Sequence, residues 1–352
     1  MKGKIFFTVF ILSFLALSFA KAQNIQFEDA NFKATLLLAS PENKIAKDTN
    51  GNFVAIDVNG DREISQAEAL NIYYLDISKA QDITSIKGIE YFTNLTALSC
   101  NGLPKLKSLD LSKNISLQYL DLRSAWMKTM DISKNIKLET LNLGSSRIET
   151  LDISKNINLQ TLDLSYCGIE DLDVSKNINL QTLNLNYSKI KTLNVSKNID
   201  LQELDLISTE IKTLNVSKNI NLKTLDLGKT KMEALDVSKN INLQKLRMFN
   251  NTEIKMLDVS RNMKLAHLDL EGCSGLTTLY MKNGAKKTFQ NNNYNSYIFK
   301  GTNLSYICCN EDEIDDVRAY TQTLTHWDND ARSYIRLNPV IISECGIGCK
   351  KK

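Results

Sequence analysis

Apolar residues recur in this chain at a fixed interval of 21 residues, and each interval contains two short L-x-L segments. One unit holds Leu162-Asp163-Leu164 and, ten residues later, Leu172-Asp173-Val174. Alternate side chains of an extended strand share a face, so each segment places two apolar side chains on one side. The pattern predicts a short strand in each half of the unit.

A Ser-Lys-Asn triplet marks the end of each unit and fixes the period. Seven copies are 21 residues apart, and Ser260-Arg261-Asn262 follows the last of them after 22. A fixed short period predicts one small structural unit stacked on copies of itself, each in contact only with its neighbours. The triplets begin at Ser112, Ser133, Ser154, Ser175, Ser196, Ser217 and Ser238.

Two positions in each unit are predicted to turn inward. The Asn of each triplet ends the second strand, where its amide can satisfy backbone groups of neighbouring turns. The equivalent position in the first half holds small residues, among them Cys167 and Cys273. These two cysteines lie five repeats apart, over about 20 Å at about 4.8 Å per strand, which is beyond disulfide reach. We interpret Cys167 and Cys273 as buried thiols that pack in the core. Cys100, which lies at a strand position, is interpreted in the same way.

The residues between the paired leucines are predicted to point outward. We expect these columns to be solvated strand faces, with Asn and Lys relieving repulsion between stacked carboxylates. The first column is Asp121, Asn142, Asp163, Asn184, Asp205, Asp226, Arg247 and Asp269, and the second is Asp131, Asp152, Asp173, Asn194, Asn215 and Asp236.

The nested half-units, the Asn column and the 21-residue period resemble those of bacterial leucine-rich repeat proteins of the IRREKO type, which are distantly similar to internalins. The resemblance covers about residues 95–283. It implies a leucine-rich repeat solenoid of stacked short parallel β-strands with little helix, a small α-containing N-terminal cap and an α/β C-terminal cap. The resulting division is 1–22 signal peptide, 23–94 N-terminal cap with an irregular first repeat, 95–283 solenoid and 284–352 C-terminal cap.

Helices are predicted only in the caps. Apolar spacing predicts one near Asp29–Ala39, and a second starting near Ser65. A third is predicted to be capped by Asn310, with Glu313 three residues on. The segment Leu276–Met281 is predicted to hold the last full strand.

A loop in the N-terminal cap has the spacing of an EF-hand calcium loop. It departs from that pattern at the sixth position, where Arg62 replaces the usual Gly. Two interpretations remain open: a structural calcium site, or an Asx-type turn that caps a helix. The candidate metal ligands are Asp57, Asn59, Asp61, Glu63 and Glu68.

The first 22 residues predict export. Lys2 and Lys4 precede the apolar stretch Ile5–Phe19, and Ala20-Lys21-Ala22 has the form of a cleavage site. The chain has 43 basic and 40 acidic residues, and removing this segment removes three lysines, which leaves 40 of each. Such a balance lacks the basic footprint of nucleic-acid binding. No later segment reaches the roughly 20 apolar residues of a membrane span, so we expect an extracellular, cell-surface or periplasmic location.

Four of the seven cysteines cluster near the C-terminal end. In an oxidising compartment, we predict a disulfide from Cys308 to Cys345 or Cys349, with Cys309 taking the other partner. Catalysis is not predicted, because the two histidines, His267 and His326, have no nucleophile or metal-ligand spacing near them.

The stretch after the first strand varies most between repeats and carries aromatic residues. Exposed aromatics are typical of contact surfaces, and the alternative is drift at tolerant positions. The leading hypothesis is an exported, non-catalytic solenoid that binds a protein partner for adhesion or recognition. The alternatives are a glycan-binding solenoid, with aromatic rings stacking on sugars, and a cell-envelope scaffold. The candidate ligand-binding residues are Arg123, Trp126, Tyr166, Tyr187 and Phe249.

Overall fold

The computed structural model describes residues 23–78, 80–284, 297–323, 325–328, 333–336 and 338–345. Coils of about 21 residues stack so that the first leucine of the first L-x-L in each coil lies at the centre of a three-residue strand. The strand Thr161–Asp163 pairs in parallel with Thr182–Asn184, and Leu162 lies opposite Leu183. The strands are β1 (Ala46–Lys47), β2 (Tyr74–Asp76), β3 (Ala97–Ser99), β4 (Tyr119–Asp121), β5 (Thr140–Asn142), β6 (Thr161–Asp163), β7 (Thr182–Asn184), β8 (Glu203–Asp205), β9 (Thr224–Asp226), β10 (Lys245–Arg247), β11 (Met256–Asp258), β12 (His267–Asp269), β13 (Thr278–Tyr280), β14 (Tyr297–Ile298), β15 (Tyr306–Cys308), β16 (Thr325–Asp328), β17 (Ser333–Arg336) and β18 (Val340–Ile342).

The strands form one long sheet and two smaller ones. The long sheet has 12 strands, β1 to β10 in chain order followed by β12 and β14, and only the β1–β2 pair is antiparallel. A four-stranded parallel sheet, β11-β13-β15-β18, runs along the C-terminal coils, and β16 pairs with β17. The prediction that Leu276–Met281 holds the last full strand is therefore wrong, because β15 and β18 continue the stack beyond β13.

The second half of most coils is not the strand that its L-x-L pattern predicts. Leu172–Val174 has no strand pairing, and side chains satisfy its backbone instead. Asp173 accepts a hydrogen bond from the backbone N–H of Ser175 at 2.8 Å, and the Asn198 amide donates to the Val174 carbonyl at 3.0 Å. A carbonyl that already accepts from a side chain contributes less readily to a ladder. Strand pairing in the second half begins only at β11.

The interior of the solenoid is filled by the paired leucines and the Asn column. Leu162 and Leu164 are fully buried, as is Asn177, whose amide donates to the backbone carbonyls of Ile153 at 3.1 Å and Asn156 at 2.9 Å. The same pair of hydrogen bonds recurs from coil to coil, which confirms the prediction that the Asn side chains of the triplets point inward. The fully buried Asn side chains of the triplets are Asn114, Asn135, Asn156, Asn177, Asn198, Asn219, Asn240 and Asn262.

The inner cysteines behave as packing groups. Cys100, Cys167 and Cys273 are buried, reduced thiols. The thiol of Cys167 donates to the Leu143 carbonyl at 3.2 Å, and that of Cys273 donates to the Met248 carbonyl at 3.0 Å. Burial raises the pKa of the Cys273 thiol to about 12, so it does not ionise near neutral pH.

The N-terminal cap contains the two predicted helices, α1 (Ala30–Leu37) and α2 (Gln66–Ala69). Asp29 caps α1 and also accepts from the backbone N–H of Thr84 at 2.6 Å, which joins the cap to the first repeat. Burial opposes ionisation of Asp29, but the hydrogen bonds from Thr84 hold its pKa at about 2. Phe32 and Leu36 of α1 are fully buried and close the apolar end of the stack.

The C-terminal cap contains a 3-10 turn (Glu311–Glu313) that leads into α3 (Ile314–Thr323), and Asn310 and Glu313 form the predicted capping box. A disulfide joins Cys308 and Cys345, with their Cα atoms 5.7 Å apart. Cys309 is buried, and Cys349 lies outside the described residues. No helix in the described ranges is long and apolar enough to cross a membrane. The predicted signal segment also lies outside these ranges.

Candidate functional site

The five candidate contact residues all lie on one edge of the long sheet, in the turn that follows the first strand of each coil. We call this the turn edge (residues 123–126 and their equivalents in later coils). The structure brings Tyr166 and Tyr187 together in adjacent coils. Trp126 lies two coils before Tyr166 and Phe249 three coils after Tyr187, about 10 Å and 14 Å along the stack at about 4.8 Å per coil. The candidates therefore form a pair with flanking residues, not one cluster.

The two tyrosines form a parallel stack on the surface. Their ring centroids are 4.4 Å apart, with an interplanar angle of 8°. Tyr166 is 55% exposed and Tyr187 is 44% exposed. Each ring covers one face of the other, so the outer faces, edges and hydroxyl groups are what a ligand could contact. Rigid amphipathic rings of this kind are frequent at the centres of protein interfaces.

The backbone of both tyrosines is left-handed. Their φ angles are 56° and 55°. This conformation costs a side-chain-bearing residue about 1–2 kcal/mol, and Gly and Asn tolerate it better than an aromatic residue does. The equivalent turn residue is left-handed in each coil from Ser124 to Gly272. Among these coils, the residue is aromatic only at Tyr166 and Tyr187. In the coils before and after the pair, the same position holds Ser124, Ser145, Ser208, Lys229, Asn250 and Gly272.

Trp126 sits beside a cation from the next coil. The guanidinium carbon of Arg147 lies 4.1 Å from the centroid of the Trp126 ring, and Trp126 is 50% exposed. A guanidinium at this distance is attracted to the ring face. One face of Trp126 is therefore occupied within the protein.

Arg123 and Phe249 are held more tightly than the sequence suggests. Arg123 makes a bidentate contact with the carboxylate of Asp121, at 2.7 Å from Nη2 to Oδ2 and 3.0 Å from Nε to Oδ1. Phe249 lies over Gly228, where any added Cβ would overlap the ring, and the Arg247 guanidinium is 4.8 Å from its centroid. Both residues form part of the surface, but their side chains are already engaged.

The first outward column is not the solvated face that the sequence predicts. Asp121, Asp226 and Asp269 are at most 9% exposed, because longer side chains of the same surface cover them. Arg247 donates to Asp226 at 2.7 Å and lies 3.7 Å from Asp269. Burial raises the pKa of Asp226 to about 6, with Asp205 adding to the rise and Arg247 opposing it. The second column is exposed as predicted, and its members accept bonds from the Ser two residues on, as Asp152 does at 2.8 Å.

In the candidate calcium loop the acidic side chains bind backbone groups. Asp57 accepts from the N–H groups of Gly60 and Arg62 at 2.8 and 2.9 Å. Glu68 is 7% exposed and accepts from Val58 at 3.0 Å and from the Ser65 N–H at 2.8 Å. The remaining candidate ligands stay close in the loop: Asp61 accepts from the Glu63 N–H, and Asn59 accepts from the Asp61 N–H.

These contacts describe a turn that caps α2, with Ser65 and Glu68 as its capping box. In the described part of the chain, no three His, Cys, Asp or Glu side chains converge in a way that could hold a metal ion. Calcium in this loop stays a prediction. The left-handed Arg62, with φ at 63°, occupies the position where an EF-hand loop uses Gly.

Two other features lie apart from the turn edge. A groove of about 700 Å³ separates the N-terminal cap from the first repeat, lined by Leu38, Phe53 and Tyr74 among others. His267 lies in β12, is buried, and has its pKa lowered by burial. In the groove, the Ser78 hydroxyl donates to the Asp76 carboxylate at 2.6 Å.

The sequence interpretation missed one surface feature: an exposed isoleucine after the triplet Asn in seven coils, with Met263 at the same position in the eighth. The signal was present in the repeat. The sequence alone does not show that this side chain is exposed, because apolar positions that repeat in a solenoid usually face its core.

Comparison with known proteins agrees with this geometry. Residues 155–176 match the family described as Leucine Rich repeat. The chain resembles the functional domain of InlJ from Listeria monocytogenes, which includes a cysteine ladder, with a TM-score of 0.55 and 21% identity over 86% of this chain and 80% of that one. The internalin InlF from Listeria monocytogenes gives a TM-score of 0.49 and 21% identity over 82% and 91% of the two chains. A leucine-rich repeat protein of Leptospira interrogans gives 0.39 and 17% over 74% and 97%.

No curated protein matches the chain in sequence. The family match and the likeness to InlJ confirm the leucine-rich repeat fold.

Proposed function

We propose that this chain is an exported, non-catalytic protein-binding solenoid, and that the turn edge around Tyr166 and Tyr187 is its contact surface. The observation that carries the proposal is the exposed tyrosine stack at two left-handed positions. The coils on either side of this pair form the same turn with a residue other than an aromatic, so the tyrosines are not needed for folding. Strained residues that the fold does not require point to a role in binding.

A protein partner fits the stack better than a glycan does. Sugar rings stack on open aromatic faces, whereas the two tyrosines cover each other and Arg147 covers one face of Trp126. Tyrosine hydroxyls and ring edges, with Arg123 and Arg147 nearby, match the aromatic and arginine composition of protein interfaces.

Two observations support export. The N-terminal segment has the n-region, apolar region and cleavage site of a signal peptide. The Cys308–Cys345 disulfide fits an oxidising compartment. Fractionation of the producing cell followed by N-terminal sequencing tests this directly, and we expect a mature chain outside the cytoplasm that begins at Gln23.

The binding test uses variants that the chain itself supplies. Tyr166→Ser with Tyr187→Ser converts both turns to the residue found at Ser145 and Ser208, so the fold is retained. Immobilised protein is exposed to envelope and host extracts and, separately, to a glycan array. We expect a protein ligand whose affinity falls at least tenfold in the double variant, in keeping with the loss of two interface tyrosines.

The matched control is Lys191→Ser with Lys212→Ser, two exposed positions on the second half of the coil. It should bind as the parent does. Glycan hits without any protein ligand, or a tyrosine variant that binds as well as the parent, would overturn the proposal.

A further inference from the structure

A row of exposed apolar side chains runs along one flank of the solenoid, in the turn between each Ser-Lys-Asn triplet and the next strand. We call it the isoleucine row. Seven isoleucines occupy this position in successive coils, each 52–55% exposed, and Met263 occupies it in the eighth at 67%. The isoleucines are Ile115, Ile136, Ile157, Ile178, Ile199, Ile220 and Ile241.

The fold gives no reason for these residues to be apolar. None of them belongs to the hydrophobic core or packs against it as a partly buried residue. The turn is held by polar groups instead: Asn156 bonds inward, and Asn158 donates to the Ile136 carbonyl at 3.0 Å. Eight apolar side chains in line, each more than half exposed, exceed the few hundred Å² of a usual surface patch. Patches of that size mark interaction sites.

A row of cations lies directly beside the isoleucine row. The residue two positions before each isoleucine is a lysine, and Arg261 holds that place before Met263. All eight are exposed. In the described residues, none of them lies within 4.0 Å of a carboxylate oxygen. This lysine row comprises Lys113, Lys134, Lys155, Lys176, Lys197, Lys218, Lys239 and Arg261.

The acid of the second column lies on the other side of the lysine row, away from the isoleucine, whereas the exposed Asp200 directly follows Ile199. Asp152 precedes Lys155 by three residues and Ile157 by five, and its carboxylate accepts a hydrogen bond from the Ser154 N–H. The strip that borders the isoleucine row on the side of the triplets is therefore cationic.

The two rows together can reach a flat surface at once. At about 4.8 Å per coil, eight positions extend over about 34 Å. Side chains that repeat at this spacing along one flank can contact one extended surface together.

We propose that this flank binds the surface of an anionic phospholipid bilayer. The isoleucine row would insert at the boundary between headgroups and acyl chains, and the lysine row would contact the phosphates. Apolar residues bordered by cations are the pattern by which peripheral elements bind such surfaces. A second copy of the chain fits less well, because face-to-face packing of two isoleucine rows would bring two rows of eight cations to one interface.

The test is sedimentation of the mature protein with vesicles of phosphatidylcholine alone and of phosphatidylcholine with phosphatidylglycerol. We expect at least tenfold stronger partitioning to the anionic vesicles, weakened by added salt because the phosphate contacts are screened. Lys155→Gln, Lys176→Gln, Lys197→Gln and Lys218→Gln together should reduce this partitioning more than tenfold, since each lysine near an anionic surface contributes roughly fivefold. Ile157→Thr, Ile178→Thr, Ile199→Thr and Ile220→Thr together should also reduce it, with the charge unchanged.

The matched control is Lys191→Gln, Lys212→Gln, Lys229→Gln and Lys231→Gln, which removes the same charge away from the flank. The partitioning of this control variant to the anionic vesicles should fall less than threefold. No binding to anionic vesicles, equal binding to both vesicles, or equal losses in the two lysine variants would overturn the proposal. So would a dimer in solution that the isoleucine changes dissociate while vesicle binding is absent.

Discussion

The side-chain amide of Asn177 donates a hydrogen bond to the backbone carbonyl of Asn156, one coil earlier, at 2.9 Å. The same amide donates to Ile153 at 3.1 Å, so one buried nitrogen satisfies two carbonyls of the preceding coil. The Asn column thus links each coil to the previous one in the second half of the coil, where most coils have no strand pairing. Coil-to-coil coupling of this kind sets the cooperativity of a repeat protein.

Replacing Asn177 by Leu should lower the free energy of unfolding by roughly 1–3 kcal/mol, because two buried carbonyls lose their donor. Urea denaturation followed by circular dichroism measures this. The control is Lys176→Ala, an exposed neighbour whose change should have little effect. Equal denaturation midpoints for the two variants would contradict the inward placement of the amide.

Asp226 should make a contribution to the free energy of unfolding that falls as pH rises from about 4 to 7. Burial raises the pKa of this carboxyl to about 6, although Arg247 opposes the rise. The folded state therefore holds the proton more tightly than the unfolded state. The resulting stabilisation is fully present below the unfolded pKa of 3.8 and is lost as pH rises through about 6.

In Asp226→Asn this pH dependence should disappear. The difference in unfolding free energy between parent and variant should change by on the order of 2–3 kcal/mol across that window. Asp152→Asn is the control, because hydrogen bonds from Ser154 lower the pKa of that exposed carboxyl and its contribution has the opposite sign. Parallel pH profiles for the parent and Asp226→Asn would show that Asp226 titrates normally.

The Cys308–Cys345 disulfide should stabilise the C-terminal cap. It closes a segment with a sequence separation of 37 residues, so Cys308→Ser with Cys345→Ser should cost roughly 2–4 kcal/mol of cap stability through loop entropy. Hydrogen exchange of β15 and β18 measures the loss, and β6 in mid-solenoid is the internal control.

Non-reducing peptide mapping checks the thiols of the same protein. Cys100, Cys167 and Cys273 should react with iodoacetamide only after unfolding, because all three are buried. A disulfide between Cys309 and Cys349 stays a prediction, and the same peptide map tests it. A disulfide between Cys167 and Cys273 would contradict the solenoid geometry.

Calcium in the loop from Asp57 to Glu68 should raise the melting temperature at millimolar concentration, by mass action on the folded state. Weak affinity is expected because the metal must replace hydrogen bonds that Glu68 now accepts from Val58 and Ser65. Thermal unfolding and calorimetric titration with and without a chelator measure the effect.

Asp57→Asn should abolish the calcium response. Asp48→Asn is matched to it, since Asp48 also accepts from two backbone N–H groups in a neighbouring turn, at 2.9 Å each. The absence of both binding heat and a thermal shift in the parent would leave the loop as a helix-capping turn.

The sequence alone determined the architecture of this protein. In a solenoid each coil contacts only the coils beside it, so the 21-residue period, the phase of the leucines and the Asn column were sufficient to predict the parallel strands and the inward cysteines. The cap helices were also predictable, because capping residues such as Asp29, Ser65 and Asn310 act within a few residues of their own position.

The tertiary structure decided which groups the neighbouring coils cover. Leu172–Val174 has the same pattern as a strand, yet Ser175 and Asn198 direct its hydrogen bonds elsewhere. Asp226 and Asp163 share a column, but only Asp226 lies under an arginine of the next coil and is buried. Tyr166 and Tyr187 could be placed in adjacent coils from the sequence, whereas their stacking and left-handed backbone could not. Burial, stacking and strain depend on side chains distant in sequence, and a periodic pattern does not specify those contacts.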